Sequence, residues 1–298
     1  MGKEVNELLT PTSTASTLTT TVHLPGTVEE AWDMKKALGG SSEYIAGGTL
    51  MQLQREQGKQ FPAHLVSLER IKGLKGIEKI YTDRGFLRIG AMTTLSECLK
   101  DRLISDSYSI FYKAVKEVAS TAVRNRATIS GNICYGIGDT IPGLLALDAR
   151  VSWYDGAYIQ TDSLENYLMK KEDTLLLSIL LPERTKAVRE LNFYRKVGRR
   201  ESFIPSLVTT SIYHCQNIEN EATVARIAVG GGTNKPLRLI KIEEYLIGKK
   251  LTERVLTEIY QQVFTEFNPA SDPFVSGDYR KTTAANLICS AFVQFQEE

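Results

Sequence analysis

The chain has 298 residues, with 36 Lys and Arg against 35 Asp and Glu and a formal net charge of +1. At roughly 150 residues per domain, this length predicts about two domains whose cores need neither disulfides nor a metal, and a charge near zero excludes a dedicated nucleic-acid binder, whose phosphate contacts call for a basic excess. Cys98, Cys134, Cys215 and Cys289 form no Cys-x-x-Cys pair, which excludes a zinc ribbon or an iron–sulfur loop and leaves a protein of a reducing compartment with no redox centre of its own.

The first 21 residues lack the apolar core of a secretory signal, and 10–21 are dominated by Thr and Ser without Arg. They read as a flexible leader rather than a transit peptide. Ordered sequence is expected from Val22. Thr27-Val-Glu-Glu30 has the form of a capping box, Ala31, Met34 and Leu38 follow at helical spacing, and Gly39-Gly40 ends the helix. A strand at 44–46 runs straight into Gly47-Gly48-Thr49, and another is expected at 64–67. The segments 77–81 and 86–89 flank Asp83-Arg84-Gly85 as a hairpin. Helical patterns at 95–99 and 111–118 give way to a polar, irregular stretch over 120–139 and an apolar run over 141–147.

From residue 150 the pattern changes. The segments 151–154 and 157–161 around Asp155-Gly156 predict a hairpin, and 174–181 a buried strand ended by Pro182. Ser178 interrupts the longest apolar stretch, 175–181, which is far shorter than the ~18–20 residues of a membrane span; the reading is a cytoplasmic protein with no membrane partner. Strands are expected at 191–197, 207–215 and 222–229, and helices at 252–267 and from 276 to about 295. A boundary near 183–189 separates an α+β first part from strands followed by helices. No internal repeat is visible.

The familiar nucleotide signatures fail. Gly136-Ile-Gly138 lacks the third glycine of the dinucleotide fingerprint, and Gly248-Lys249-Lys250 lacks the upstream glycine and hydroxyl residue of a P-loop. Only His23, His64 and His214 are present; His214 and Cys215 are neighbours on an expected strand and point to opposite faces, so they make a poor metal pair. Gly-x-Ser-x-Gly is absent and no carboxylate pair stands out. Two loops carry more chemistry. Ala46-Gly47-Gly48-Thr49 follows a strand directly, so its glycines let the backbone approach an anion and Thr49 adds a hydroxyl. Thr128-Ile129-Ser130-Gly131-Asn132 again offers small residues and donors, with Arg124 and Arg126 upstream. Each fits an ordinary turn when taken alone; together they suit the two sides of one pyrophosphate.

In this order the segments resemble the FAD-binding (medium) subunit of the molybdenum hydroxylases, the group of xanthine dehydrogenase, aldehyde oxidoreductase and aerobic carbon monoxide dehydrogenase. The resemblance rests on Ala46-Gly-Gly-Thr49, on Arg124-Asn-Arg-Ala-Thr-Ile-Ser-Gly-Asn132, on Asp139-Thr-Ile-Pro142 with the apolar run behind it, on Arg226-Ile-Ala-Val-Gly-Gly231 with Pro236 and Arg238, and on Tyr279-Arg280. It spans nearly the whole chain after the leader. It implies an α+β fold, with a two-lobed FAD-binding domain of the vanillyl-alcohol-oxidase type over 22–187 (lobes of about 22–80 and 81–187) and a smaller α+β domain over 188–298.

The resemblance further implies that the backbones of Gly47, Gly48 and Thr49 and of residues 128–131 hold the FAD pyrophosphate. Tyr44, Ile45, Ala46 and Leu50 flank the first loop as cofactor-binding candidates, and Ala127, Thr128, Ile129, Ser130, Gly131 and Asn132 make up the second. Asp139, Leu175 and Lys196 would lie near the flavin, with Lys196 and Arg200 matching the family's Lys-x-x-x-Arg pattern. A cation there has a role, because reduced flavin gathers negative charge along its N1–C2 carbonyl edge. The implied protein is an FAD-dependent oxidoreductase subunit. Its partners would be a molybdopterin-binding large subunit and a two-cluster iron–sulfur small subunit, with NAD+ as the expected acceptor. The pattern departs from the family at Leu50, usually Asp or Asn, at Ser130, usually Gly, at Ile204, often an acid, and in a 132–139 interval about two residues short. Two other readings stay open: a stand-alone flavin oxidoreductase of the same fold, and a flavin-free assembly protein.

Overall fold

Three sheets follow one another along the chain. The computed structural model describes residues 19–81, 84–170, 173–184, 187–198 and 206–297. The expected leader up to residue 18, Arg200 and Ile204 lie outside the described residues.

The first unit is β1 (Thr21–His23), α1 (Val28–Leu38), β2 (Ser42–Ile45), α2 (Thr49–Glu56) and β3 (His64–Ser67). Its strands are parallel in the order β1-β3-β2, and parallel neighbours need crossovers, which α1 and α2 provide. Half of the expected capping box forms on α1. The Thr27 hydroxyl accepts from the Glu30 N–H, but the Glu30 carboxylate takes the N–H of Gly26 instead of returning to Thr27. The helix α2 was not expected, because its eight residues, TLMQLQRE, are too few to establish a helical period and none of them is fully buried.

The second unit runs through β4 (Ile77–Tyr81), β5 (Gly85–Gly90), α3 (Leu95–Lys100), α4 (Arg102–Ser107), α5 (Ser109–Lys116), α6 (Thr121–Arg124), α7 (Ile129–Cys134), α8 (Ile141–Ala146), β6 (Arg150–Tyr154), β7 (Ile159–Ser163), α9 (Leu164–Met169) and β8 (Leu175–Pro182). The strands form an antiparallel sheet in the order β4-β5-β8-β6-β7. Its central strand, β8, is buried along its apolar run, as expected for a strand covered on both faces. The stretch read as irregular, 120–139, instead contains α6 and α7. With four and six residues they are too short to show a helical period, and Gly131 lies inside the second.

The third unit comprises β9 (Arg189–Val197), β10 (Val208–Gln216), β11 (Ala222–Gly231), β12 (Asn234–Arg238), α10 (Ile240–Leu246), α11 (Glu253–Glu266) and α12 (Gly277–Glu297). Its sheet is antiparallel in the order β12-β11-β10-β9. Every residue of β10 is buried. Val208 and Ile212 join the core under α11 and α12, while Tyr213 and Cys215 enter the core of the second unit. His214 and Cys215 therefore do face opposite sides, and the His214 ring is held edge-on between Phe292 and Phe295 of α12. The buried helix α8 packs on β10, β11 and β12 and joins the second unit to the third. No helix among the described residues is long and apolar enough to cross a membrane.

Candidate functional site

The first loop turns β2 into α2 through Gly48, whose φ of 71° is in the left-handed region that favours glycine. No side chain caps α2, and no acceptor among the described residues takes the backbone N–H groups of residues 47–51. A strand end and a helix N-terminus thus present a row of unpaired donors with partial positive charge, the arrangement that suits an anion. Gly47 sets this loop against the second one. A Cβ at Gly47 would collide with the Arg126 carbonyl and come within 3.1 Å of the Ala127 Cα, so only glycine allows the two backbones to meet. Ile45 packs beside Gly48, and Leu50 is half-buried. The Tyr44 hydroxyl is buried with no partner among the described residues, and burial, with the Asp173 charge second, pushes its pKa well up.

The second loop is built differently from the first. Thr128 caps α7 by accepting from the Gly131 N–H, the Ile129 N–H donates to the Thr93 carbonyl (3.0 Å), and the Ser130 N–H to that of Ala91 (3.2 Å). The Asn132 N–H returns to the Thr128 carbonyl (3.2 Å). Most of the peptide donors expected to face a phosphate are therefore engaged within the protein. What remains on this side is the Thr128 N–H, which has no acceptor among the described residues, and the hydroxyls of Thr128 and Ser130, 3.2 Å apart. Arg124 is also engaged, through the carbonyls of Val118 (2.8 Å) and Ala119 (2.7 Å) and the Thr121 hydroxyl (3.0 Å). The Asn132 amide oxygen accepts from both the backbone (3.2 Å) and the hydroxyl (2.6 Å) of Thr140, which ties α7 to the residue after Asp139.

Asp139 and Lys196, 57 residues apart, meet at 2.6 Å between the second and third units. Their side chains are only 15% and 6% exposed. Such a pair persists where its remaining polar atoms are satisfied, because desolvation otherwise outweighs the mutual attraction. Here Lys196 also donates to the Glu117 carbonyl (3.1 Å), the Ser206 hydroxyl donates to the second oxygen of the Asp139 carboxylate (2.8 Å), and the Tyr194 hydroxyl donates to the Asp139 carbonyl (3.0 Å). Burial and then the charge of Asp139 raise the Tyr194 phenol well above its ordinary pKa, so it stays a donor. Burial raises the Glu117 carboxyl too, opposed by Lys196 and Arg195. Across the strands from Lys196, Thr209 has a buried hydroxyl with no partner among the described residues.

Sequence reasoning named Asp139 and Lys196 but missed Tyr194 and Ser206. The period-two rule finds Tyr194, two residues before Lys196 on the same face of β9; no motif points to Ser206. Leu175 is buried in the core of the first unit with Trp32, Val66 and Leu177. No group of three or more metal-ligating side chains occurs among the described residues.

Residues 16–184 match the FAD binding domain in molybdopterin dehydrogenase, and residues 192–295 match the CO dehydrogenase flavoprotein C-terminal domain. The xanthine dehydrogenase FAD-binding subunit of Escherichia coli O157:H7 is 23% identical over 248 residues, 80% of this chain and 83% of that one. The carbon monoxide dehydrogenase medium chain of Hydrogenophaga pseudoflava is 25% identical over 280 residues, covering 89% and 93%. A solved structure of carbon monoxide dehydrogenase from the same organism, lacking the Mo-pyranopterin moiety of its molybdenum cofactor, superimposes with a TM-score of 0.84 at 22% identity. The match covers 93% of this chain and 97% of that one, a likeness of fold.

Proposed function

We propose, from the premise that this chain belongs to the family of FAD-binding domains in molybdopterin dehydrogenases, that it carries electrons within a heteromeric molybdenum hydroxylase. Its cofactor is FAD. In this reading substrate is hydroxylated on a molybdopterin-binding large subunit, and electrons arrive through a two-cluster iron–sulfur small subunit. They leave this chain for an acceptor, NAD+ by the resemblance. When bound, FAD supplies two-electron redox chemistry; the protein supplies position and field.

The unpaired N–H row at residues 47–51 carries the reading. It is where the pyrophosphate would be held, with the hydroxyls of Thr128 and Ser130 on the facing side. The close approach of Gly47 to the Arg126–Ala127 peptide supports one cradle rather than two unrelated turns. Lys196 would supply fixed positive charge on the flavin side, since its ammonium is held by Asp139 and the Glu117 carbonyl. Tyr44, Ile45, Ala46, Leu50, Asn132 and Leu175 are assigned to the same site by resemblance.

Titration of the chain with FAD, followed by flavin fluorescence, tests this. The natural chain is expected to take up one FAD, and Gly47→Ala to bind at least ten-fold more weakly, because its methyl group forces the two loops apart. Absence of uptake by the natural chain would overturn the proposal. Reconstitution with the partner subunits then separates NAD+ from oxygen or a quinone as acceptor, whereas NADH turnover by the chain alone would favour the stand-alone oxidoreductase.

A further inference from the structure

We infer that Ser206 is a positioning residue for the flavin site and acts through Asp139; the inference rests on the flavin reading above. Each oxygen of the Asp139 carboxylate has its own donor, Lys196 on one and Ser206 on the other, at 2.6 and 2.8 Å. With the Tyr194 hydroxyl on its carbonyl, Asp139 is fixed at three points by the third unit. The Ser206 hydroxyl has no other partner among the described residues, so its contribution falls on this carboxylate.

Ser206 is itself immobilised. It is buried, and its carbonyl accepts from the Gly232 N–H at 2.6 Å. The next residue, Leu207, donates to the Val197 carbonyl (2.7 Å) and accepts from Arg280 (2.8 Å). Arg280 is fully buried, paired with Asp272, and lies so close over Gly232 that any side chain there would collide with its guanidinium. The long helix α12 thus fixes the backbone that aims the Ser206 hydroxyl. That hydroxyl stabilises the ionised carboxylate and draws part of its negative charge away from Lys196. The ammonium therefore keeps more of its positive field. Without the hydroxyl, one carboxylate oxygen turns its full charge on Lys196, and the surroundings become less favourable to a group gaining electrons.

The experiment is a dye-equilibrated redox titration of the full chain with FAD bound, comparing the natural protein with Ser206→Ala, Ser206→Thr, Asp139→Asn and the Ser206→Ala/Asp139→Asn double variant. The midpoint potential is expected to fall in Ser206→Ala and to stay near the natural value in Ser206→Thr. In the Asp139→Asn background Ser206→Ala should add no shift, because its route runs through that carboxylate. Ser206→Cys reads the same direction should the alanine variant not fold. An unchanged potential in Ser206→Ala, or an equal shift with and without Asp139, overturns the inference and leaves the flavin reading standing. Failure of the natural chain to bind FAD overturns both.

Discussion

His214 shows what a single buried side chain can impose. Its imidazole is fully buried between Phe292 and Phe295, and burial pushes its pKa down to about 4 from an ordinary 6.5. The folded state keeps the ring neutral at pH values where the unfolded chain already binds a proton. Stability is therefore complete above about pH 6.5 and declines as pH falls from there toward 4, by up to about 3 kcal/mol. Urea denaturation between pH 4 and 7 should show this slope, and His214→Leu should flatten it while raising stability at pH 5. An unchanged slope in that variant would place the acid sensitivity elsewhere. That His214 and Cys215 face opposite sides was legible as alternation along a strand; the burial of His214 and its aromatic clamp were not, because both faces of β10 are covered and α12 lies about 80 residues further on. The same holds for the candidate site. Lys196 and Asp139 each carried a motif, but nothing in either motif says that they touch, and Ser206 has no motif at all.

Among the elements, α2 begins on an N-terminus with no side-chain cap. An Asp at position 48 would accept from the first-turn N–H groups and place a negative charge at the positive end of the helix, each worth about 1 kcal/mol or less. Against this stands about 1 kcal/mol for a non-glycine residue at a φ of 71°. The new Cβ would lie 3.3 Å from the end of the Ile45 side chain, a tight contact that this flexible end relieves by a small shift. Gly48→Asp is thus expected to leave the thermal midpoint of the cofactor-free chain nearly unchanged and to weaken FAD binding at least ten-fold. A variant that binds FAD normally would remove the α2 terminus from the site. The strand and the two glycines before α2 were readable because tight turns demand particular residues. The helix itself was not, since eight residues are too few to establish a helical period, and α7 hid behind the same brevity.

At the scale of the whole molecule, the two sequence matches end at residue 184 and begin again at 192, yet the cores do not divide so cleanly. Tyr194, Tyr213, Cys215 and Ala228 of the third unit belong to the hydrophobic cluster of the second. Asp139 meets Lys196 across the same seam, and Asp148 meets Arg226 and Arg238. Shared burial couples unfolding, so a single transition is expected in urea. Trp32 and Trp153, the two tryptophans, report on the first and second units; their fluorescence should fall together with far-ultraviolet circular dichroism, to which α11 and α12 contribute strongly. Two separate midpoints would show that the seam does not couple the halves. Sheet order and seam were beyond the sequence patterns, because they depend on pairings between distant strands; the resemblance carried only the division into two lobes and a smaller α+β domain. The first and second units supply the two sides of the proposed cradle, while the second and third supply Asp139 and Lys196. A flavin laid across both seams would be retained only by a chain with all three sheets in register. For this protein, a yellow colour that stays with the purified chain would then report that all three sheets had come together.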